Sequence, residues 1–222
     1  MLTKIRAVVF DLDGLIFDTE ALFHKVAGEM LAVRGKIFTD ELMQAMIGRR
    51  AADAGHAFKT LAGLDEPVEE LLKEVRSRFQ AELDSAVHPS PGLFALLAHL
   101  EARNIPRGVA TSSRREYADT LLRSHGLRDY FSFVLGSEDV SIGKPDPEIY
   151  RKATERLGVL PAETLVLEDS PAGLEAAKRA GAFAVGVPHA HSPAERMTHA
   201  DLIVDRLDSP ALFSRIDQVP TA

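Results

Sequence analysis

Acidic, hydroxyl and amino side chains collect in four short runs of this chain. They are Asp11-Leu12-Asp13-Gly14 with Asp18, Thr111-Ser112-Ser113, Lys144-Pro145-Asp146-Pro147, and Glu168-Asp169-Ser170. Two carboxylates at i and i+2 are costly to ionise side by side unless a cation lies close by. The chain has no cysteine, so the ligands on offer are hard oxygens. These favour Mg²⁺, which keeps several waters and binds through a few carboxylates plus a substrate phosphate. Asp11, Asp13, Glu168 and Asp169 are therefore the candidate metal set. A carboxylate can also attack phosphorus, giving an aspartyl-phosphate for water to discharge, and a second aspartate then has a task as proton carrier. Lys144 and Thr111, with Ser112 beside them, are residue types that hold the equatorial oxygens of a transferring phosphoryl group.

The elements that must bring these runs together are legible from periodicity. Residues 5–10 form a short run, apolar but for Arg6, ending at Asp11, the pattern of a strand covered on both faces. From Thr19 to about Ala86 apolar residues recur at helical spacing, as at Leu22, Val26, Met30 and Val33. Breaks near Gly35, Gly48 and Gly63, with Pro67 opening the last segment, predict three or four helices. After the turn-rich stretch from His88 to Gly92 the pattern alternates. Strands are expected at 106–110, 131–135, 164–167, 182–187 and 202–204, and helices at 93–102, 114–124, 147–157 and 171–180. The last few residues, from Gln218, are expected to fray.

This order predicts an α/β fold, a doubly wound Rossmann-like parallel sheet with an inserted α-helical cap domain. Residues 1–18 and 88–222 would form the core and 19–87 the cap. Ligands of such sheets bind outside the carboxyl ends of the strands, and the four polar runs each follow a predicted strand.

Composition narrows the function classes. Lys plus Arg total 26 against 33 Asp plus Glu, a net charge of −7 that repels nucleic-acid phosphates. With 45% hydrophobic residues, 27% charged residues and a mean hydropathy of −0.04, the chain has an ordinary globular composition. Without cysteine, disulfides, zinc fingers, iron–sulfur clusters and thiol nucleophiles are excluded. No apolar run approaches the roughly 18 residues a membrane helix needs. The expectation is a cytoplasmic monomer acting on a small phosphorylated metabolite, with no nucleic-acid or membrane partner.

The run Asp11-Leu12-Asp13-Gly14 with Asp18, the strand end at Thr111, Lys144-Pro145 and Glu168-Asp169 resemble, in order, the four motifs of the haloacid dehalogenase superfamily of phosphotransferases. The four fixed positions of the first motif match by chance in only about one window per 10⁵. The resemblance covers nearly the whole chain, and the helical insert looks like that superfamily's small helical cap. It implies that Asp11 is nucleophile and metal ligand, and that Asp13 is general acid/base and offers its main-chain carbonyl to Mg²⁺. Thr111 and Lys144 would hold the phosphoryl group, and Asp169 with Glu168 would close the metal site. Asp13 points to phosphate esters, since relatives that cleave carbon–halogen or phosphonate bonds lack it.

Substrate choice falls to the cap. Gly48-Arg49-Arg50 at a helix break could meet a second anionic group, or could be a solvated turn. His24 on the first cap helix is a further candidate. In the β-phosphoglucomutases of the superfamily a cap histidine stands where this chain has Phe23, and His24 is turned about 100° away on a helix. That departure favours hydrolysis over a mutase reaction. Asp18 could cap the first inserted helix or steady the loop, and Ser112 and Ser113 could cap the helix beginning at Arg114 or donate to phosphate. A phosphorylated receiver-like signalling domain shares the acids and the lysine but needs no long helical insertion. A dinucleotide binder would need a Gly-x-Gly-x-x-Gly after the first strand, and none is there.

Overall fold

The computed structural model describes residues 3–46, 49 and 51–218. The expected helix break at Gly48, the candidate Arg50 and the expected fraying beyond Gln218 lie outside the described residues. Six parallel strands, β1 (Ala7–Phe10), β2 (Arg107–Ala110), β3 (Val134–Leu135), β4 (Thr164–Glu168), β5 (Phe183–Gly186) and β6 (Leu202–Ile203), form one sheet in the order β3-β2-β1-β4-β5-β6. In register, Val8 faces Leu165 on β4 and Arg107 on β2. The central strands are buried along their whole length, which is why they read as apolar runs without alternation.

Successive side chains serve opposite faces. Val8, Phe10, Leu165 and Leu167 join one core with α5 (Leu93–Glu101), α6 (Arg115–Ser124) and α9 (Pro210–Asp217). Val9 and Val166 join the other with α7 (Glu148–Leu157) and α8 (Pro171–Ala180). The strands are shorter than their apolar runs. Ile5 is buried although it lies outside β1, because hydrophobic burial extends beyond the ladder's hydrogen bonds. Helix α9 went unexpected in the sequence, although Pro210 at its first turn is a start signal.

The connection from β1 to β2 carries α1 (Glu20–Ala32), α2 (Asp40–Gln44), α3 (Ala51–Ala62) and α4 (Val68–Ala86) before α5. Helix α1 has two apolar stripes. Leu22 and Val26 reach the main core, while Ala27, Met30 and Leu31 join a separate cluster with Phe38, Leu42, Met43, Phe58, Leu64 and Leu71. A Cβ on Gly55 would meet Val68 at 2.8 Å, so glycine allows α3 and α4 to approach. Arg34 binds Glu66 at 2.8 Å and Glu74 at 2.7 Å, tying the end of α1 to α4 and the turn before it. Among the described residues no helix is long and apolar enough to cross a membrane.

Candidate active site

Chain connections run from β1 to β2 and β3 on one side of the sheet and return to β4 on the other, so the crevice opens at the carboxyl ends of β1 and β4. Asp11 leaves β1 there, its N–H donating to Leu167 O at 3.0 Å. Glu168 ends β4 and Asp169 follows it. Carboxylate oxygens of Asp11, Glu168 and Asp169 lie within 4.8 Å of one another, and all three residues are buried. The sheet's register thus joins acids that are 157 residues apart in the chain.

The Lys144 ammonium faces them. Lys144 Nζ donates to Asp11 Oδ1, to Glu168 Oε1 at 2.6 Å and to Ala110 O at 3.3 Å. Burial works against the ammonium, but Asp11 and Glu168 outweigh it and hold Lys144 charged well above the usual lysine range. Burial, with the charges of Glu168 and Asp169, pushes the Asp11 carboxyl well up, and burial with Glu168 does the same for Asp169. Asp11, Glu168 and Asp169 offer carboxylate oxygens within 4.8 Å of one another, the ligand type a hard divalent cation takes.

Glu168 is engaged at both oxygens. Oε1 accepts from Lys144 and from the hydroxyl of the fully buried Tyr150; Oε2 accepts from the Ser170 N–H at 3.1 Å and hydroxyl at 2.9 Å. The Ser170 hydroxyl also caps α8 by accepting from Gly173 N–H. His189 Nε2 lies 3.1 Å from Asp169 Oδ2, and Ser192 donates to the Asp169 carbonyl at 2.5 Å.

Asp13 stands apart from the buried cluster at the start of a tight loop, where Gly14 takes a left-handed φ of 81°. Its Oδ2 accepts from Ser113 at 2.6 Å and, at longer range, Thr111 at 3.4 Å, and its Oδ1 accepts from Tyr117 at 3.1 Å. The structure thus places Ser113 on Asp13 and makes Arg114 the N-cap residue of α6, with no side-chain cap bond. The helix-cap expectation for Ser113 fails because α6 begins at Arg115, one residue later than expected, which puts Arg114 in the cap position. Asp18 is exposed, and α1 begins after Thr19 without a side-chain cap.

A cavity of about 520 Å³ opens over the site. Asp11, Asp13, Thr111, Ser112 and Asp169 form its floor, and Phe23, Arg49, Arg76 and Phe79 line it from the inserted helical segment. His24 does not line it. One helical step from Phe23, its ring stacks on His191 of the loop after β5, with centroids 5.2 Å apart. Sequence reasoning did not single out Tyr117, Tyr150, Arg76, His189 or Gly173. Tyr117, Tyr150 and His189 reach partners 104, 18 and 20 residues away in the chain, and no local pattern marks such a pairing.

Residues 8–187 match the family described as haloacid dehalogenase-like hydrolase. The chain is 34% identical over 203 residues to the validoxylamine A 7'-phosphate phosphatase of Streptomyces hygroscopicus subsp. limoneus, covering 91% of this chain and 94% of that protein. It is also 34% identical to the β-phosphoglucomutase of Bacillus subtilis, over 90% of this chain and 89% of that one. Among solved structures, CbbY from Rhodobacter sphaeroides in complex with phosphate superposes with a TM-score of 0.79 at 26% identity, covering 96% of this chain and all of the other.

Proposed function

The chain belongs to the haloacid dehalogenase-like hydrolases, and from that premise we propose that it is a Mg²⁺-dependent phosphatase of a small phosphate monoester, a sugar phosphate or similar metabolite, working through an aspartyl-phosphate on Asp11. The observation that carries this reading is the position of Asp11. Its carboxylate lies at the floor of the cavity, bonded to Lys144 and within 4.8 Å of Glu168 and Asp169 oxygens.

The donor set fits Mg²⁺: Asp11, Asp169 and the main-chain carbonyl of Asp13 would hold it. Glu168, with both oxygens occupied by Lys144, Tyr150 and Ser170, supports the site from behind by anchoring the lysine. When bound, the cation neutralises charge between the carboxylates and the incoming phosphate. An Asp11 oxygen attacks phosphorus, forming a new P–O bond as the bond to the alcohol oxygen breaks, and Asp13 gives its proton to that oxygen. Asp13 then takes a proton from water as the water attacks the phosphorylated Asp11. Inorganic phosphate leaves and both carboxyl groups return to their starting states. Lys144 holds Asp11 in line, and Thr111 and Ser112 at the floor offer hydroxyls to the phosphoryl oxygens.

The inserted helices act as the cap. They hinge near residues 18–19 and 87–92, exclude water and carry the groups that choose the substrate. Hydrolysis is favoured over transfer to a second sugar because Phe23 of α1, which cannot move a proton, lines the cavity, while His24 stacks on His191. Phosphate release from a panel of hexose phosphates, glycerol phosphate, phosphoglycolate and nucleoside monophosphates with Mg²⁺ tests the reading. Turnover to free inorganic phosphate is expected. Stoichiometric phosphorylation without turnover, or conversion of one sugar phosphate into its isomer, would overturn it.

A further inference from the structure

Asp13 is gripped from the side of α6 at both carboxylate oxygens, by Ser113 at 2.6 Å on one and by Tyr117 at 3.1 Å on the other. The Tyr117 ring meets Phe79 of α4 at an edge, with centroids 6.3 Å apart and planes at 61°. Both rings line the cavity. Tyr117 therefore touches Asp13 with its hydroxyl and the inserted helices with its ring.

We propose that Tyr117 is a positioning residue for Asp13, fixing the carboxyl group's rotamer and linking it to the placement of α4. The proposal rests on the reading of Asp13 as proton carrier. A general acid has to sit within hydrogen-bond reach of the leaving oxygen, and the bonds from Ser113 and Tyr117 fix the direction of the Asp13 carboxylate. Without the phenol hydroxyl, Ser113 and Thr111 hold one oxygen and leave the other without the Tyr117 restraint. Proton delivery then suffers most where the leaving group depends on it. An alkoxide leaves poorly without a proton, whereas nitrophenolate leaves readily as the anion.

The test compares kcat/KM for the best alkyl phosphate of the panel with that for p-nitrophenyl phosphate, a ratio that reports phosphoryl transfer to the enzyme and not its later discharge. Tyr117→Phe is expected to lower the alkyl-to-aryl ratio roughly tenfold, as the loss of one hydrogen bond to a charged group implies, with an unchanged thermal midpoint. Asp13→Asn is expected to lower it further. Phe79→Ala is expected to lower it by a smaller factor and to add little in the Tyr117→Phe background. If Asp13→Asn lowers the ratio and Tyr117→Phe does not, the positioning role is overturned while the acid–base reading stands. If Asp13→Asn leaves the ratio unchanged, that reading falls and the proposal with it. Equal losses on both esters in Tyr117→Phe would make the residue merely structural, and a Phe79→Ala effect undiminished in the Tyr117→Phe background would remove the link to α4.

Discussion

Gly173 lies so close to Glu168 that a Cβ there would sit 1.8 Å from Glu168 Oε1. The first turn of α8 thus packs its backbone against the buried carboxylate that holds Lys144. Gly→Ala inside a helix ordinarily stabilises by about 0.5–1 kcal/mol. Here the sign is expected to reverse. Gly173→Ala displaces Glu168, costs about 1–3 kcal/mol as overpacking does, and lowers turnover by releasing Lys144 from its place on Asp11. Denaturant unfolding and phosphatase assays on the same variant check both effects.

Chelation is expected to abolish phosphatase activity and Mg²⁺ to restore it, with Ca²⁺ a poor substitute because its larger, flexible shell suits in-line transfer badly. A second readout is independent of turnover. Because the carboxylates of Asp11, Glu168 and Asp169 crowd together at the site, Mg²⁺ binding to the folded state raises the thermal midpoint with concentration. In Asp169→Asn that rise shrinks. An identical rise in wild type and variant would place the ion elsewhere.

The tie between α1 and α4 carries an acid sensitivity. Hydrogen bonds from Arg34 hold the Glu66 and Glu74 carboxyls below the usual glutamate range. Groups with depressed native values lend stability above their unfolded values, and that stability is lost as pH falls through the native ones. Arg34→Gln is therefore less stable than wild type near neutral pH, and the gap closes as pH falls through the glutamate range. Denaturant midpoints measured across that range provide the check.

Arg76 of α4 and Arg49, between α2 and α3, line the cavity. Neutralising both with Gln is expected to lower kcat/KM for the best anionic metabolite about tenfold, equivalent to about 1.4 kcal/mol of transition-state binding. Small aryl phosphates, too short to reach them, lose much less. Parallel losses on both substrates would point to damaged closure instead of substrate recognition.

The sheet and the four polar runs were legible because each rests on local pattern. An apolar run too short for a helix, followed by acids or hydroxyls, marks a buried strand and its functional end, and parallel register brings such ends together. Strand limits were less legible. Ile5, Phe131 and Phe133 extend the apolar pattern past the hydrogen-bonded ladders. The contacts that hold the site were not legible at all. Tyr150 reaches Glu168 across 18 residues and Tyr117 reaches Asp13 across 104, so their roles exist only once the chain has folded. His24 shows the limit of spacing arguments: one step along α1 moves a side chain from the cavity wall to the stack with His191.

The phosphorylated enzyme is the most direct test of the central claim. Wild-type protein with Mg²⁺ and substrate, quenched in acid during turnover and digested for mass spectrometry, is expected to carry one phosphoryl group on Asp11. Asp11→Asn is expected to carry none and to turn over no substrate. Asp13→Asn, slowed by about 10²–10⁴ as for a lost acid–base group, is expected to form the phosphorylated species from good leaving groups and to discharge it slowly. Near-wild-type turnover by Asp11→Asn, or phosphorylation at any other residue, would contradict the account.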